Sequence, residues 1–367
     1  MDIRQTGLIS QVVAPVGLTR VPASVFHCGD WAVQGATVEP DARPEGEEQA
    51  VLGAGVRQFG GPVEVLELPG PRGLRPDEVL IDVQACGVGN WDEFTRTGEW
   101  DLGIRPPMAL GVEAAGLVAA AGDRVTGIAP GDLVTVHSAP LRDQGAWAVR
   151  HIAAAGQVAV LPTGVTVEAA AALPVPALTA AQVIDDALQV RPRQTVLVHG
   201  AGGVTGGMLV QLAAHRGARV IATAGSDSAG RVSAVGAGTV LDYHQRDWPE
   251  QVRALTAGGV DGAANAARAG SVEAVRAVRD GGLLATITAD LPDAERDIAM
   301  RAVQVVPDGA RLAGLVQLLA QGVLTVTLAS SFPLERAAEA LTQARRGAHG
   351  SATVLRTAGS QRAASRR

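Results

Sequence analysis

The chain has 367 residues, 47% of them apolar and only 3% aromatic, with a formal charge of −6. That length exceeds one typical core and that apolar content can fill two, so two domains are expected. The acidic balance, with no Lys/Arg cluster interleaved with aromatics, argues against nucleic acid, and no apolar run approaches the ~20 residues that span a bilayer.

Residues 1–48 read differently from the rest and end in a polar, turn-rich stretch from Glu39 to Glu48, as expected of an appended, flexible segment. The N-terminus lacks the basic-then-apolar order of a signal peptide, so a cytoplasmic location is expected. Between 51 and 162, short β-like runs with Gly/Pro punctuation, among them 78–83 and 132–137, predict an antiparallel, barrel-like domain. From 167 the pattern changes to a helix after Leu173, a strand at Thr195, and further strands at 219–224 and near Thr239, Val260 and Leu283. Such alternation predicts a parallel sheet. A helix at 310–321, a strand at 323–328, a helix at 334–345 and a strand at 352–355 follow, before an Ala/Arg-rich tail.

The stretch from Val196 to Gly207 is an apolar strand running into a glycine-dense turn, which opens a helix carrying Met208, Leu209, Leu212 and Ala213. Gly200, Gly203 and Gly206 let the backbone turn sharply and approach a pyrophosphate, whose charge meets free N–H groups and the positive end of the helix. Strand, turn, amphipathic helix and second strand together predict a dinucleotide site; Gly200, Gly202, Gly203, Val204, Thr205 and Gly206 are its contact candidates. After the second strand come Gly225, Ser226, Asp227 and Ser228, then Arg231. No acid ends the strand itself to bind a ribose 2′-hydroxyl, and Arg231 offers a cation for a 2′-phosphate, which favours NADPH over NADH. Asp227 opposes that reading, and Arg231 is also consistent with a solvated helix face.

Over 51–356 the chain resembles the medium-chain dehydrogenase/reductase superfamily, in its zinc-free quinone oxidoreductase (zeta-crystallin-like) branch. The resemblance rests on Phe59-Gly60-Gly61-Pro62, Ala85-Cys86-Gly87-Val88 through Asp92 with Arg96 and Gly98, and Gly111-Val112-Glu113 through Gly116. Gly131-Asp132-Leu133-Val134, Ala170 to Pro174, Leu178-Thr179-Ala180 and the nucleotide turn complete it. It implies a Rossmann doubly wound parallel sheet (173–321) inserted in a GroES-like β-barrel catalytic domain (49–172 and 322–357), with a tail at 358–367. It also implies a homodimer joined through sheet edges, and hydride delivery from NADPH in a cleft between the domains.

Zinc-dependent relatives place a cysteine where this chain has Gly89 and a histidine where it has Val112. Losing two of three ligands argues against a catalytic zinc, and Cys28 and Cys86, the only cysteines, are too few for a site built from cysteines alone. The expected acceptor is therefore one that polarises itself, a quinone or an α,β-unsaturated carbonyl, held in near-attack geometry. The resemblance implies Thr179 beside the nicotinamide, where the other reading is a helix-capping hydroxyl. Asn90 sits one place later than the family's asparagine: it is either a donor to a substrate carbonyl or carboxamide, or a turn residue. Trp91, Phe94 and Trp100 form either an apolar wall for a flat acceptor or ordinary core. Tyr243 is placed near the adenosine or in edge packing, and Asn265 and Thr288 are backbone-contact candidates. Val204 replaces a glycine of the family turn and would crowd a pyrophosphate unless its side chain points away. His137 and His199 read as structurally satisfied histidines. The alternatives are a tailoring enone or quinone reductase of natural-product biosynthesis, and a nucleotide-binding sensor or structural protein with little turnover.

Overall fold

The structure, a computed structural model, describes residues 50–347 and 350–357. The extension at 1–48, Cys28 and the tail at 358–367 lie outside the described residues.

The first half of the described chain is built from antiparallel ladders, its short and mostly buried runs broken every few positions by Gly and Pro. Val51–Val56 pairs with Glu64–Leu68 and Met108–Ala109 in a three-stranded sheet. The larger sheet runs Leu328–Pro333, Ala352–Arg356, Glu78–Val88, Glu113–Ala121, Leu133–His137 and Val158–Val160, with Arg150–Ala154 also paired to Glu78–Val88. Only the pair Leu328–Pro333 and Ala352–Arg356 is parallel. Trp147, fully buried, donates its indole N–H to Gly87 O at 3.0 Å across this core.

The nucleotide half is a six-stranded parallel sheet in the order Thr239–Leu241, Arg219–Thr223, Thr195–His199, Val260–Asn265, Val278–Thr286 and Ala299–Ala302. This is the doubly wound order in which the chain reverses direction across the sheet between Thr195–His199 and Val260–Asn265, where dinucleotides bind. Leading into it, the wholly buried helix Pro174–Ala181 has proline at its first position, where the missing N–H costs nothing.

Two elements differ from expectation. The strand expected at 323–328 begins only at Leu328. Leu324 is drawn into the nucleotide-half core, and the Thr325 backbone is satisfied by the Gln211 side chain, whose Oε1 accepts the Thr325 N–H at 2.7 Å. The amide takes the place of a neighbouring strand. The sequence reading also omitted Ala299–Ala302, whose Ala-Met-Arg-Ala sequence has no β-branched residue to mark it.

Candidate functional site

The glycine turn is shaped by steric limits. Gly200 stands at φ +81°, and a Cβ there would lie 2.7 Å from Ala267 N; a Cβ on Gly206 would lie 2.2 Å from Gly200 O. The first glycine makes the turn and the third lets helix Val204–His215 press against it. That helix starts at Gly203, so its first N–H groups have no intrahelical acceptor and face the turn. Val204 does not crowd the turn, because its side chain packs against Ala172, Val326, Ala352 and Val354 of the neighbouring segments.

At the far end of the site, Gly225 caps helix Ser226–Ala234, and a Cβ on it would lie 3.6 Å from Tyr243 Cε1. Tyr243 is half exposed and stacks on His244 at 4.1 Å, offering an open ring face. Ser226 donates to Asp227 at 3.3 Å. Arg231 does not lie on a solvated face: it is half-buried, and its Nη2 donates to Gly202 O at 2.9 Å.

Between these ends the strand termini carry a dense polar network. Thr223 Oγ1 accepts the Gly200 N–H at 3.2 Å and is hydrogen-bonded to His199 Nδ1 at 2.7 Å. Burial pushes the His199 pKa down, against the pull of Glu273 and Asp290, and the ring stacks on Trp248 at 4.7 Å. Asn265, fully buried, offers its amide to Ala267 O, Ser271 Oγ and Thr288 Oγ1. Asp290 accepts from Thr288 (2.6 Å), Thr286 (2.7 Å) and Ser271 Oγ (2.8 Å). Burial raises the Asp290 carboxyl, but these donors and the Ser271 N–H outweigh it and hold the group below its ordinary value. Asn265 and Thr288 are thus joined through Asp290, which sequence reasoning did not single out.

Helix Trp91–Thr97 forms the other side. Asn90 precedes it, exposed, with no side-chain capping bond. Trp91 and Trp100 pack with Leu102, Val112, Leu141 and Val175, and with Val305 from beyond the parallel sheet. Phe94 is not part of that cluster; its carbonyl accepts the Trp100 N–H at 3.0 Å. Thr179, one turn after Val175, is mid-helix rather than a cap, and its hydroxyl donates to Val175 O at 2.6 Å. Its oxygen lone pairs remain able to accept.

The donor set around Gly89 and Val112 does not fit a metal. A Cβ on Gly89 would fall 2.2 Å from the Trp91 indole, which fills the space a ligand there would use, and Val112 is buried among apolar side chains. Two carboxyls that sequence reasoning missed lie just behind this wall. Asp92 Oδ2 accepts the Gly89 N–H at 2.9 Å, and Glu113 Oε2 accepts the Val175 N–H at 2.8 Å. Burial pushes Asp92 up to about 8 against the Gly89 bond, and pushes Glu113 well above its usual range, with Asp92 adding to the effect. Nearby His137 gives Nδ1 to Val112 O at 3.2 Å, and burial drops it to about 4. A charged residue inside an otherwise apolar segment was the available signal for Glu113; Asp92, between Asn90 and Glu93, carried none.

Comparison with known proteins agrees with this geometry. Residues 75–177 match the alcohol dehydrogenase GroES-like domain, and residues 204–317 match the zinc-binding dehydrogenase family. The chain is 37% identical over 180 residues to the quinone oxidoreductase of Lama guanicoe, covering 48% of this chain and 53% of that protein. It is similar to the crystal structure of an NAD-dependent alcohol dehydrogenase, at 30% identity and a TM-score of 0.75, over 84% of this chain and 99% of that one. A mycobacterial protein solved in complex with NADPH is 26% identical, with a TM-score of 0.73, over 84% of this chain and 100% of that one. The chain spans about half the length of the curated relatives it matches, from 39% to 60%. Among the described residues, no helix is long and apolar enough to cross a membrane.

Proposed function

Because the chain belongs to the medium-chain dehydrogenase/reductase superfamily, in its zinc-free quinone oxidoreductase-like branch, we propose that it is a zinc-independent reductase transferring hydride from NADPH to a quinone or an α,β-unsaturated carbonyl. The observation that carries this reading is the apolar wall of Trp91, Trp100, Val112, Val175 and Val305, one helical turn from Thr179. An acceptor held there is kept from water and needs no metal to polarise it.

When bound, the nicotinamide supplies the hydride. The glycine turn would hold the pyrophosphate through the N–H groups of Val204, Thr205 and Gly206, and Tyr243 would flank the adenosine. Thr179, its hydroxyl hydrogen already engaged with Val175 O, would hold the nicotinamide through its oxygen as an acceptor. Arg231 and Ser226 support NADPH, since both flank the end of the second strand, where a 2′-phosphate would lie. Asn265 and Thr288 act through the strand-end network rather than by direct contact. The outer edge of Ala299–Ala302, paired on one side only, is the surface on which a second copy would extend the sheet into a homodimer. Operation in the cytoplasm belongs to the same reading.

The test is nicotinamide absorbance with NADPH or NADH and a panel of quinones and enones. Oxidation above background is expected, faster with NADPH. Tight NADPH binding without turnover on any acceptor would overturn the reading in favour of a sensor or structural role.

A further inference from the structure

Among the described residues, the short helix Trp91–Thr97 concentrates buried polar atoms that have no hydrogen-bond partner: Trp91 Nε1, Asp92 Oδ1 and Thr95 Oγ1. Polar atoms shut away from water are nearly always paired, and each exception needs a reason. Asp92 at least receives the Gly89 N–H on its other oxygen. The Trp91 N–H has no such compensation, and its ring packs against the apolar cluster of Leu102, Val112, Ala139, Leu141 and Val175.

The ring is held in that place by Gly89. A Cβ at this position would fall 2.2 Å from Trp91 Cε2, the atom bonded to Nε1, and 2.2 Å from Cζ2. Any other residue at 89 would force the indole aside. Val175, in the same cluster, accepts the Thr179 hydroxyl through its carbonyl, so the wall carrying the unpaired donor begins one helical turn from the residue assigned to the nicotinamide. A single fixed donor in an apolar wall beside the hydride source is the arrangement that orients and polarises a carbonyl.

We propose that the Trp91 indole N–H is the hydrogen-bond donor to the acceptor's carbonyl oxygen, and that Gly89 is the residue that lets it stand there. This rests on the hydride-transfer reading above. With an enone, hydride forms a C–H bond at the β-carbon, the C=C pair moves to the bond between the α- and carbonyl carbons, and the C=O pair moves onto oxygen. Two electrons leave the dihydronicotinamide, and the enolate then takes one proton at its α-carbon from water. The indole keeps its proton throughout; it stabilises the charge growing on oxygen. Because water does not reach the N–H, an oxygen that displaces the apolar contacts over it meets a donor with no existing bond to break. Acceptors lacking a carbonyl oxygen forgo that stabilisation.

The test compares wild type with Trp91→Phe, which keeps an aromatic wall and removes the donor, and with Gly89→Ala, which drives the ring away. The probe is 2-cyclohexenone, labelled with carbon-13 at its carbonyl. Its infrared stretch is read in the complex with NADP⁺, where no turnover occurs, and kcat/KM is measured with NADPH. The expected result is a lower carbonyl frequency in wild type than in either variant. A loss of about tenfold in kcat/KM, at unchanged NADPH affinity, should accompany it, the upper range for one neutral hydrogen bond. An equal frequency and an equal kcat/KM in wild type and in either folded variant would overturn the proposal. A lowered frequency in a wild type that reduces no acceptor would sustain the donor site and sink the hydride-transfer reading instead.

Discussion

Two carboxyls of the site, half-buried Asp290 and fully buried Asp92, have opposite fates. Asp290, at the ends of the parallel strands, is surrounded by the hydroxyls of Thr286, Thr288 and Ser271, and stays ionised below its ordinary pKa. Asp92, on the short helix beside the apolar cluster, receives one backbone N–H, leaves its other oxygen unpaired and is pushed up to about 8 by burial. At the ends of the parallel strands the protein itself pairs the side-chain polar groups. The acceptor side keeps polar groups unpaired in apolar surroundings, which costs stability and reserves them for chemistry.

Asp92→Asn breaks this contrast most strongly. The folded pKa lies above the unfolded value of 3.8, so the stabilisation is intact below that pH. It is lost progressively as pH rises to about 8, because the unfolded chain ionises first. At ~1.4 kcal/mol per unit the full loss is on the order of 5 kcal/mol. Melting curves at pH 5, 7 and 9 should show the variant gaining on wild type at each step. A pH-independent difference between the two would show that Asp92 carries no such penalty.

Asp290→Ala attacks the opposite side and leaves three hydroxyl groups without their shared acceptor. A loss of ~2–3 kcal/mol is expected by chemical denaturation, since bonds to a charged group are among the stronger ones. A change within error would mean that Asn265 alone holds the strand ends.

Arg231→Ala sharpens the cofactor half of the contrast. Its guanidinium rests on Gly202 O, so removing it should weaken both cofactors through the turn, but NADPH more. About tenfold of the preference for NADPH is expected to go, the value of one exposed charge-assisted bond. Equal losses in Kd for NADPH and NADH would confine Arg231 to supporting the turn.

The smallest effect is expected from metal removal. With Gly89 and Val112 offering no donors, dialysis against a chelator should leave kcat unchanged. Stoichiometric zinc in the purified protein, with activity lost on chelation, would contradict this.

The nucleotide half was legible because its signal is local: Gly200, Gly203 and Gly206 within one turn, between an apolar strand and an amphipathic helix, admit few other structures. The acceptor side depends on contacts across the chain and was read less completely. Trp91 and Trp100 both pack against one apolar cluster, but that cluster also takes in Val175 and Val305, more than 80 positions away from Trp91, and no local pattern announces that. Phe94, on the same short helix, shares the composition cue and not the position. Asp92 and Glu113 stood inside the motif segments, yet their importance comes from burial without a cation. A linear sequence does not display that. The strand misplaced at 323–328 failed for a similar reason, since Gln211 supplies its backbone partner from another element.

The catalytic half is assembled from both ends of the described chain: Ala352–Arg356 adds to Glu78–Val88, setting Leu355 opposite Cys86. On a ribosome, the whole nucleotide half emerges before this ladder can close, so the parallel sheet is free to form while the barrel still waits for its last strand. Until then the 85–88 end of Glu78–Val88 presents an open edge to other nascent chains, while its first residues are already paired with Arg150–Ala154. A chain cut just before Ala352 would therefore keep all six strands of the parallel sheet and leave the 85–88 edge of the barrel unpaired.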